Sequence, residues 1–414
     1  MRLRSRTSLK SPQEKLTWVT SSESNELPRL IFICRNYLMP GFSGVNNWVE
    51  NIARSVQADF NIIICAQSDA LASVKEERVG NVTIVKIPVA KHLRYEKLPL
   101  YSAWNRGAAK YLKSLKGPLH VIAPFSGVES FTLDTIPGIN LYTLLVTDER
   151  SHRFPQKSRK ELQDLSTLDP RTREVVRRES EILNAKNGRL IGDSSVIIKD
   201  LEELFNSQFA DRSVVLPINL ESDTCKPHNK QKIVFFVGRC DNRKGLRTLL
   251  DAWEWMSHLL PDWKLIVATS GGDDYETASR LSWWPAHKFN AEILWNVEES
   301  IKHLFMAKSS IVVVPSLYES FGLVALEALQ HGSVAIVSDV GGLPEVIDTV
   351  GVRFNPLSSQ DLAMKIALTA RDEKLLRTYP ALGKARVQEL FSDEAIRNQV
   401  IQILFAADSS ARSF

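Results

Sequence analysis

The chain has 414 residues, more than one hydrophobic core usually serves, so its length favours two domains of roughly 200 residues. Hydrophobic residues make up 44% and charged residues 24% of it, as in ordinary soluble globular proteins, and its longest apolar runs are too short to span a bilayer. Composition therefore argues against an integral membrane protein and a disordered chain.

The formal net charge of +4 divides into +7 for residues 1–220 and −3 for residues 221–414. This modest basic surplus indicates either a solvated surface or attraction to an anionic membrane or lipid-diphosphate acceptor, and we expect no nucleic-acid partner.

No signal peptide is expected, because no apolar stretch follows the first basic residues. Four cysteines lack the spacing of metal ligands, which favours reduced thiols and a cytoplasmic protein. They are Cys34, Cys65, Cys225 and Cys240.

Residues 1–28 are polar and are predicted to be a disordered lead-in. A strand predicted over residues 29–34 leads through Gly41 and Gly44 into a helix with apolar residues at helical spacing. Strand, glycine loop and helix form an arrangement typical of phosphate sites, although a glycine pair before a helix is more often only a turn.

Short apolar runs predict further strands over residues 61–66, 82–88, 120–124 and 141–147. Between them, residues 91–116 predict a basic helix with aromatic residues, which packs on the sheet or, alternatively, lies on a membrane surface. The loops after the last two strands lie at the carboxyl edge of the predicted sheet, where open α/β folds bind ligands. They contain the candidate acceptor contacts Glu129, Asp148, Glu149 and His152.

A charged helical region, a strand and a capped helix follow, and the run over residues 214–219 predicts the last strand of the first domain. The polar residues 221–231 predict a hinge. Beyond it, a strand over residues 233–238 leads into Arg239, Lys244 and a helix. The planar guanidinium of an arginine and the ammonium group of a lysine suit a diphosphate leaving group. The alternative is that both residues are ordinary turn residues.

The strands then predicted cover residues 264–269, 292–295, 311–314 and 334–338. After the first of them, Asp273 and Asp274 lack the spacing of a D-x-D metal motif, so we predict a solvated turn and no metal site.

The short β-branched run at residues 311–314 predicts a buried strand. The stretch from Pro315 to Gly332 follows it, and the good helix formers in this stretch predict a helix that begins shortly after the strand ends. Ser320 is predicted to cap that helix, and its free N–H groups suit a phosphate. Glu319 and Glu327 lie eight residues apart, and each carboxylate suits a pair of hydroxyl groups. Taken alone, the two glutamates are better explained as a solvated turn residue and a surface helix residue.

This stretch resembles the E-x7-E signature of the retaining glycosyltransferases of family 4. The Gly-Arg pair at 238–239, the Lys-Gly pair at 244–245 and the sequence from Gly341 to Ile347 match the same family. The resemblance implies an α/β GT-B fold, with two Rossmann-like doubly wound domains facing across a cleft. It implies an acceptor-side domain over residues 29–219, a nucleotide-sugar domain over residues 220–395, and a final helix, 396–414, that crosses back to the first domain.

The roles implied by the resemblance are catalytic for Glu319, Arg239 and Lys244. Glu319 is expected to contact the donor sugar near its reactive carbon, and the two cations are expected to hold the diphosphate. Glu327 is expected to bind the donor ribose. The full set of donor-binding residues that the resemblance implies is Gly41, Gly44, Ser320, Phe321, Gly322, Leu323 and Glu327.

The implied function is metal-independent, retaining transfer of a hexose from a nucleotide sugar to an acceptor hydroxyl, in glycan or glycolipid assembly. UDP is the expected base, no cofactor is expected, and the acceptor is lipid-linked, a glycan or a small molecule. The expected location is cytoplasmic, with peripheral contact at the inner membrane surface as an alternative.

The chain departs from the family pattern at two places, and the first of them favours a non-catalytic alternative. Many relatives have a histidine just after the fourth strand, where this chain has Pro124-Phe125-Ser126-Gly127. The chain also has Pro217-Ile218-Asn219 where relatives often have Pro-Asn-Gly. The alternatives are a non-catalytic regulatory or binding protein of the same fold, or another GT-B enzyme such as an epimerase or a phosphorylase.

Overall fold

The computed structural model of this chain describes residues 27–38, 44–68, 71–89, 97–125, 133–146, 151, 157, 159–185, 188–220 and 229–410. Contacts divide the chain into two units. One comprises residues 1–144 and 177–190, and the other comprises residues 145–176 and 191–414. Gly41, nearly all of the predicted lead-in and the four candidate acceptor contacts lie outside the described residues. The predicted domain boundaries stay predictions.

Within the described ranges, the first sheet has the strand order β3-β4-β2-β1-β5-β6-β7-β8. The strands are β1 (Arg29–Ile33), β2 (Asn61–Ser68), β3 (Lys75–Val79), β4 (Val82–Pro88), β5 (Leu119–Pro124), β6 (Ile139–Leu145), β7 (Arg189–Gly192) and β8 (Ser213–Val215). The helices between them are α1 (Gly44–Val56), α2 (Lys97–Ser114), α3 (Arg159–Gln163), α4 (Pro170–Asn184) and α5 (Ser195–Phe205).

Two strands of this sheet differ from the sequence prediction. β3 was not predicted, because its charged residues lack an apolar pattern; it pairs antiparallel with β4 through a two-residue turn at Gly80 and Asn81. β8 ends at Val215, so the strand predicted over residues 214–219 is wrong for residues 216–219. Pro217 follows there, and its ring nitrogen has no hydrogen to donate to a sheet.

The second sheet, over the described residues, has the order β11-β10-β9-β12-β13-β14. Its strands are β9 (Gln231–Arg239), β10 (Lys264–Ser270), β11 (Ala291–Trp295), β12 (Ser309–Val314), β13 (Val334–Ser338) and β14 (Val352–Phe354). The accompanying helices are α6 (Leu246–Met256), α7 (Tyr275–Trp283), α8 (Glu299–Lys308), α9 (Leu323–Gln330), α10 (Leu343–Ile347), α11 (Ser359–Arg371), α12 (Glu373–Leu390) and α13 (Asp393–Ser410).

The strand pairs of this second sheet are parallel. From β9 the chain moves outward through β10 and β11, then returns to β12 on the other side of β9 and moves outward again. β9 and β12 are therefore the strands at which the winding reverses. Ligands of open α/β sheets bind at the carboxyl ends of such strands, where the loops diverge.

The β-branched run at residues 311–314 is buried throughout, which confirms the predicted interior strand. Such a run suits a parallel strand covered by helices on both faces. Among the described helices, none is long and apolar enough to cross a bilayer.

Candidate functional site

Two loops meet at the carboxyl ends of the central strands of the second sheet. One follows β9 and contains residues 240–245; the other follows β12 and contains residues 315–322. The backbone N–H of Leu317 donates to the carbonyl oxygen of Arg243 at 2.7 Å and joins them. Residues far apart in sequence are thereby brought to one place.

Lys244 and Glu319 form an ion pair across these loops. The distance from Lys244 Nζ to Glu319 Oε2 is 2.7 Å, and the Ser316 hydroxyl donates to the same oxygen at 3.3 Å. Both side chains are partly exposed, at 26% and 19%, so a ligand has access to both. The structure thus brings together two of the three residues expected to be catalytic.

Arg239 ends β9 and extends toward the loop after β10. Its Nε donates to the carbonyl oxygen of Gly271 at 3.3 Å, and its side chain is exposed. The remaining guanidinium hydrogens suit an oxyanion, which a planar fork of donors binds well.

The N-terminus of α9 differs from the prediction at its cap. The N-cap residue is Gly322, in a left-handed conformation with φ +115°, and none of the described side chains caps the helix. The prediction that Ser320 caps it is wrong, because the Ser320 hydroxyl donates to Asp193 Oδ2 at 2.8 Å instead. No described side chain therefore caps the N-terminal N–H groups of α9, Leu323 included, and free N–H groups suit an anion.

Phe321 holds this loop on the domain core. Its ring is 6% exposed and packs edge-on against Phe391, with ring centroids 5.9 Å apart. The side chain of this predicted donor-binding residue is therefore an anchor for the loop, and the partly exposed residues before it, Glu319 and Ser320, carry the polar groups.

Sequence reasoning missed a group of polar residues that begins directly after β7. Besides the bond between Asp193 and Ser320, the Ser194 hydroxyl donates to the carbonyl oxygen of Ser320 at 2.6 Å. The Glu345 carboxylate accepts bonds from the backbone N–H groups of Ser195 and Val196, each at 2.9 Å. These residues all lie within the second unit. The signal available in the sequence was a polar Asp-Ser-Ser run at the end of the strand predicted over residues 189–194, which ends at Gly192 in the structure.

Asp193 is a buried carboxyl group. Burial raises its pKa to about 8; the hydrogen bond from Ser320 opposes this shift, and the charges of Glu319 and Glu345 add to it. Its second oxygen, Oδ1, is buried and has no hydrogen-bond partner within the described ranges. Asp193 is therefore mainly protonated at neutral pH.

Stability should depend on pH through Asp193. Between about pH 4 and pH 8 the folded state holds a proton that the unfolded state has lost, so the free energy of unfolding falls as the pH rises. Asp193→Asn removes this dependence. We expect the melting temperature of wild type to fall more than that of the variant between pH 5 and pH 8. The control is Asp262→Asn, at an exposed ion pair with Lys232, which should follow wild type. Parallel curves for wild type and Asp193→Asn would contradict the assignment.

Glu327 lies inside α9, and its side chain is only 7% exposed. Lys302 Nζ lies 2.7 Å from Glu327 Oε1, while Oε2 is buried and finds no hydrogen-bond partner in the part of the chain that the structure describes. The alternative of a solvated surface residue is therefore wrong for Glu327. An unpartnered buried oxygen costs free energy, which a hydroxyl donor would recover.

Gly44 begins α1 in the first unit and is exposed, with open space where a Cβ would lie. Its predicted contact with a donor stays a prediction. Across the described ranges, no group of three or more His, Cys, Asp or Glu side chains is arranged to hold a metal ion.

Comparison with known proteins adds a family match to this geometry. Residues 221–385 match the family described as Glycosyl transferases group 1. An uncharacterized glycosyltransferase of Methanocaldococcus jannaschii is 30% identical over 178 residues, which are 42% of this chain and 44% of that protein. The chain thus spans less than half of that relative's length.

Solved structures resemble nearly the whole chain. A sucrose-phosphate synthase from Thermosynechococcus elongatus has a TM-score of 0.74 at 19% identity, covering 92% of this chain and 100% of that one. HepE of Anabaena in complex with UDP has a TM-score of 0.67 at 16% identity, covering 91% and 100%. These likenesses confirm the predicted α/β GT-B fold, with its two Rossmann-like domains. Residues 221–385 form a Glycosyl transferases group 1 domain within a chain of that fold.

Proposed function

We propose that the chain is a retaining, metal-independent glycosyltransferase that moves a hexose from a nucleotide sugar to an acceptor hydroxyl. The observation that carries the proposal is the partly exposed pair of Lys244 and Glu319 beside the uncapped N-terminus of α9. A cation and a helix N-terminus bind a diphosphate, and the carboxylate beside them suits a sugar.

In the proposed reaction, the bond between the anomeric carbon and the phosphate oxygen breaks, and negative charge grows on the departing diphosphate. Lys244, Arg239 and the N–H of Leu323 stabilise this charge. The acceptor hydroxyl attacks from the same face, and the leaving phosphate oxygen takes its proton. Negative charge develops on the diphosphate in the transition state. Cations and N–H groups that are already in position there lower the free energy of that state most effectively.

Glu319 has a second role in this scheme. Without a ligand its carboxylate neutralises Lys244 at 2.7 Å. A bound diphosphate competes for Lys244, and Glu319 is then released to contact the donor sugar near its reactive carbon. The ion pair therefore keeps the site neutral until the donor arrives.

The donor base and the acceptor are further parts of the proposal. HepE, which shares the fold, binds UDP, and this supports a UDP-sugar as the donor. The acceptor is a hydroxyl compound, whether lipid-linked, a glycan or a small molecule. A membrane-bound acceptor suits the basic first half of the sequence.

Donor binding is tested by thermal shift in EDTA with UDP-glucose, GDP-mannose and ADP-glucose. A ligand at a hundred times its dissociation constant stabilises the folded state by about 2.7 kcal/mol. We expect one donor to stabilise wild type but not Glu327→Ala. The control is Glu292→Ala, at the half-exposed pair with Lys264, which should bind like wild type. Binding without nucleotide release over long incubation would support the non-catalytic alternative, and no binding at all would contradict the proposal.

A further inference from the structure

We propose that Lys302 is a positioning residue of the nucleotide site, which holds the Glu327 carboxylate in one orientation for the vicinal hydroxyl groups of a ribose. The inference rests on the proposed function, since it concerns the same donor site. Lys302 was not singled out in the sequence, because it lies 25 residues before Glu327 and on another helix.

The contact joins two helices on either side of β12. Lys302 lies in the first turns of α8 and Glu327 in the second turn of α9, and their charged atoms are 2.7 Å apart. Both side chains are largely buried, at 15% and 7% exposure. A charge-assisted bond between buried groups fixes a side chain far better than a surface ion pair does.

Lys302 is well suited to keep its charge. Burial lowers its pKa, but the charges of Glu327 and Glu299 and their hydrogen bonds outweigh burial and raise the pKa above the ordinary value. Burial also raises the pKa of Glu299, but the bond with His303 and the charge of Lys302 lower it to about 2. Lys302 therefore lies between two carboxylates, of which Glu299 remains ionised at neutral pH.

The two oxygens of the Glu327 carboxylate have different surroundings. Oε1 accepts the bond from Lys302, whereas Oε2 is buried and has no hydrogen-bond partner among the described residues. A carboxylate that lost the buried ammonium group beside it would turn toward water. Lys302 thus leaves one oxygen available, in a fixed place, to a hydrogen donor from the ligand, and ribose supplies such donors as a vicinal pair.

A purely structural ion pair between α8 and α9 predicts a different result. It would affect the stability of the fold and the binding of every nucleotide equally. A positioning role affects only those ligands that have ribose hydroxyls. The ratio of affinities for a ribonucleotide and its dideoxy counterpart separates the two roles.

The test measures binding of UDP, GDP and ADP, each against its 2′,3′-dideoxy counterpart, by calorimetry at about pH 7. Wild type should prefer the ribose form by about tenfold to a hundredfold, the value of hydrogen bonds to a charged group. Lys302→Met should lose this preference while its affinity for the dideoxy nucleotide is unchanged, and Lys302→Arg should retain most of it. Lys308→Met, a half-buried lysine at the end of the same helix, should behave like wild type.

A double variant completes the test. Glu327→Gln should lose the same preference, and Lys302→Met combined with Glu327→Gln should lose no more than either alone, because both act through one carboxylate. If Lys302→Met weakens both nucleotides equally and keeps the preference, the contact is only structural. If wild type binds nucleotides without any preference, the inference is wrong while donor binding stands. If wild type binds none of the six, the proposed function fails as well.

Discussion

Lys244→Ala is expected to reduce the rate of sugar transfer by 10² or more, with little change in stability. The lysine lies 2.7 Å from Glu319 at the carboxyl end of the central strands, where the proposal places the leaving diphosphate. Loss of one charge-assisted contact to a developing oxyanion typically costs about 3 kcal/mol in the transition state. The partly exposed ion pair itself contributes little to folding. The measurement is nucleotide release under saturating donor.

The matched control is Lys264→Ala. Lys264 also pairs with a glutamate, Glu292, at 2.6 Å, but it begins β10 and so lies at the opposite end of the sheet. Its loss should leave the transfer rate unchanged. A Lys244→Ala variant that turned over at nearly the wild-type rate would contradict the assignment of Lys244, whatever the control showed.

Gly341→Ala is expected to abolish donor binding and to lower the melting temperature. A Cβ at Gly341 would lie 1.7 Å from the carbonyl oxygen of Glu319, and its backbone has φ +52°, which other residues rarely adopt. The neighbouring Gly342 N–H donates to that same oxygen at 3.0 Å. The loop after β12 and the loop after β13 are therefore in direct contact. Relief of the clash must displace the loop that contains Glu319 and leads into the N-terminus of α9, so the groups proposed to hold the donor are moved out of place.

Gly271→Ala is the control for stability. A Cβ there would meet open space, and the residue has no strained backbone angle, so its melting temperature should equal that of wild type. The thermal-shift assay with donor gives both readouts for Gly341→Ala. If Gly341→Ala melted like wild type and still bound donor, the loop after β13 would not lie in close contact with Glu319.

The sequence predicted the local elements of the site well because they depend on short-range patterns. The β-branched run before Pro315 is a buried strand, and the good helix formers after Gly322 are a helix. The spacing of Arg239, Lys244 and Glu319 relative to these strands placed them at one edge of the sheet. Strand ends and helix starts are encoded within a few residues, so a single sequence suffices to locate them.

Side-chain partners were predicted poorly because they depend on residues far away in sequence. The cap assigned to Ser320 was wrong, since Asp193, 127 residues earlier, accepts its hydroxyl. The burial of Glu327 and its bond to Lys302 depend on how α8 packs beside α9, which periodicity does not reveal. β3 was missed for a local reason, because an edge strand with exposed charged residues has no apolar pattern to detect.

The central claim is tested most directly by an NMR time course of donor turnover in EDTA, with whichever of UDP-glucose, GDP-mannose and ADP-glucose stabilises the protein. All three are α-linked donors, and water serves as the acceptor. The account predicts release of the nucleoside diphosphate with the α-anomer of the free sugar appearing first, and loss of both signals in Glu319→Ala. Appearance of the β-anomer first, or turnover only after a divalent metal is added, would contradict it.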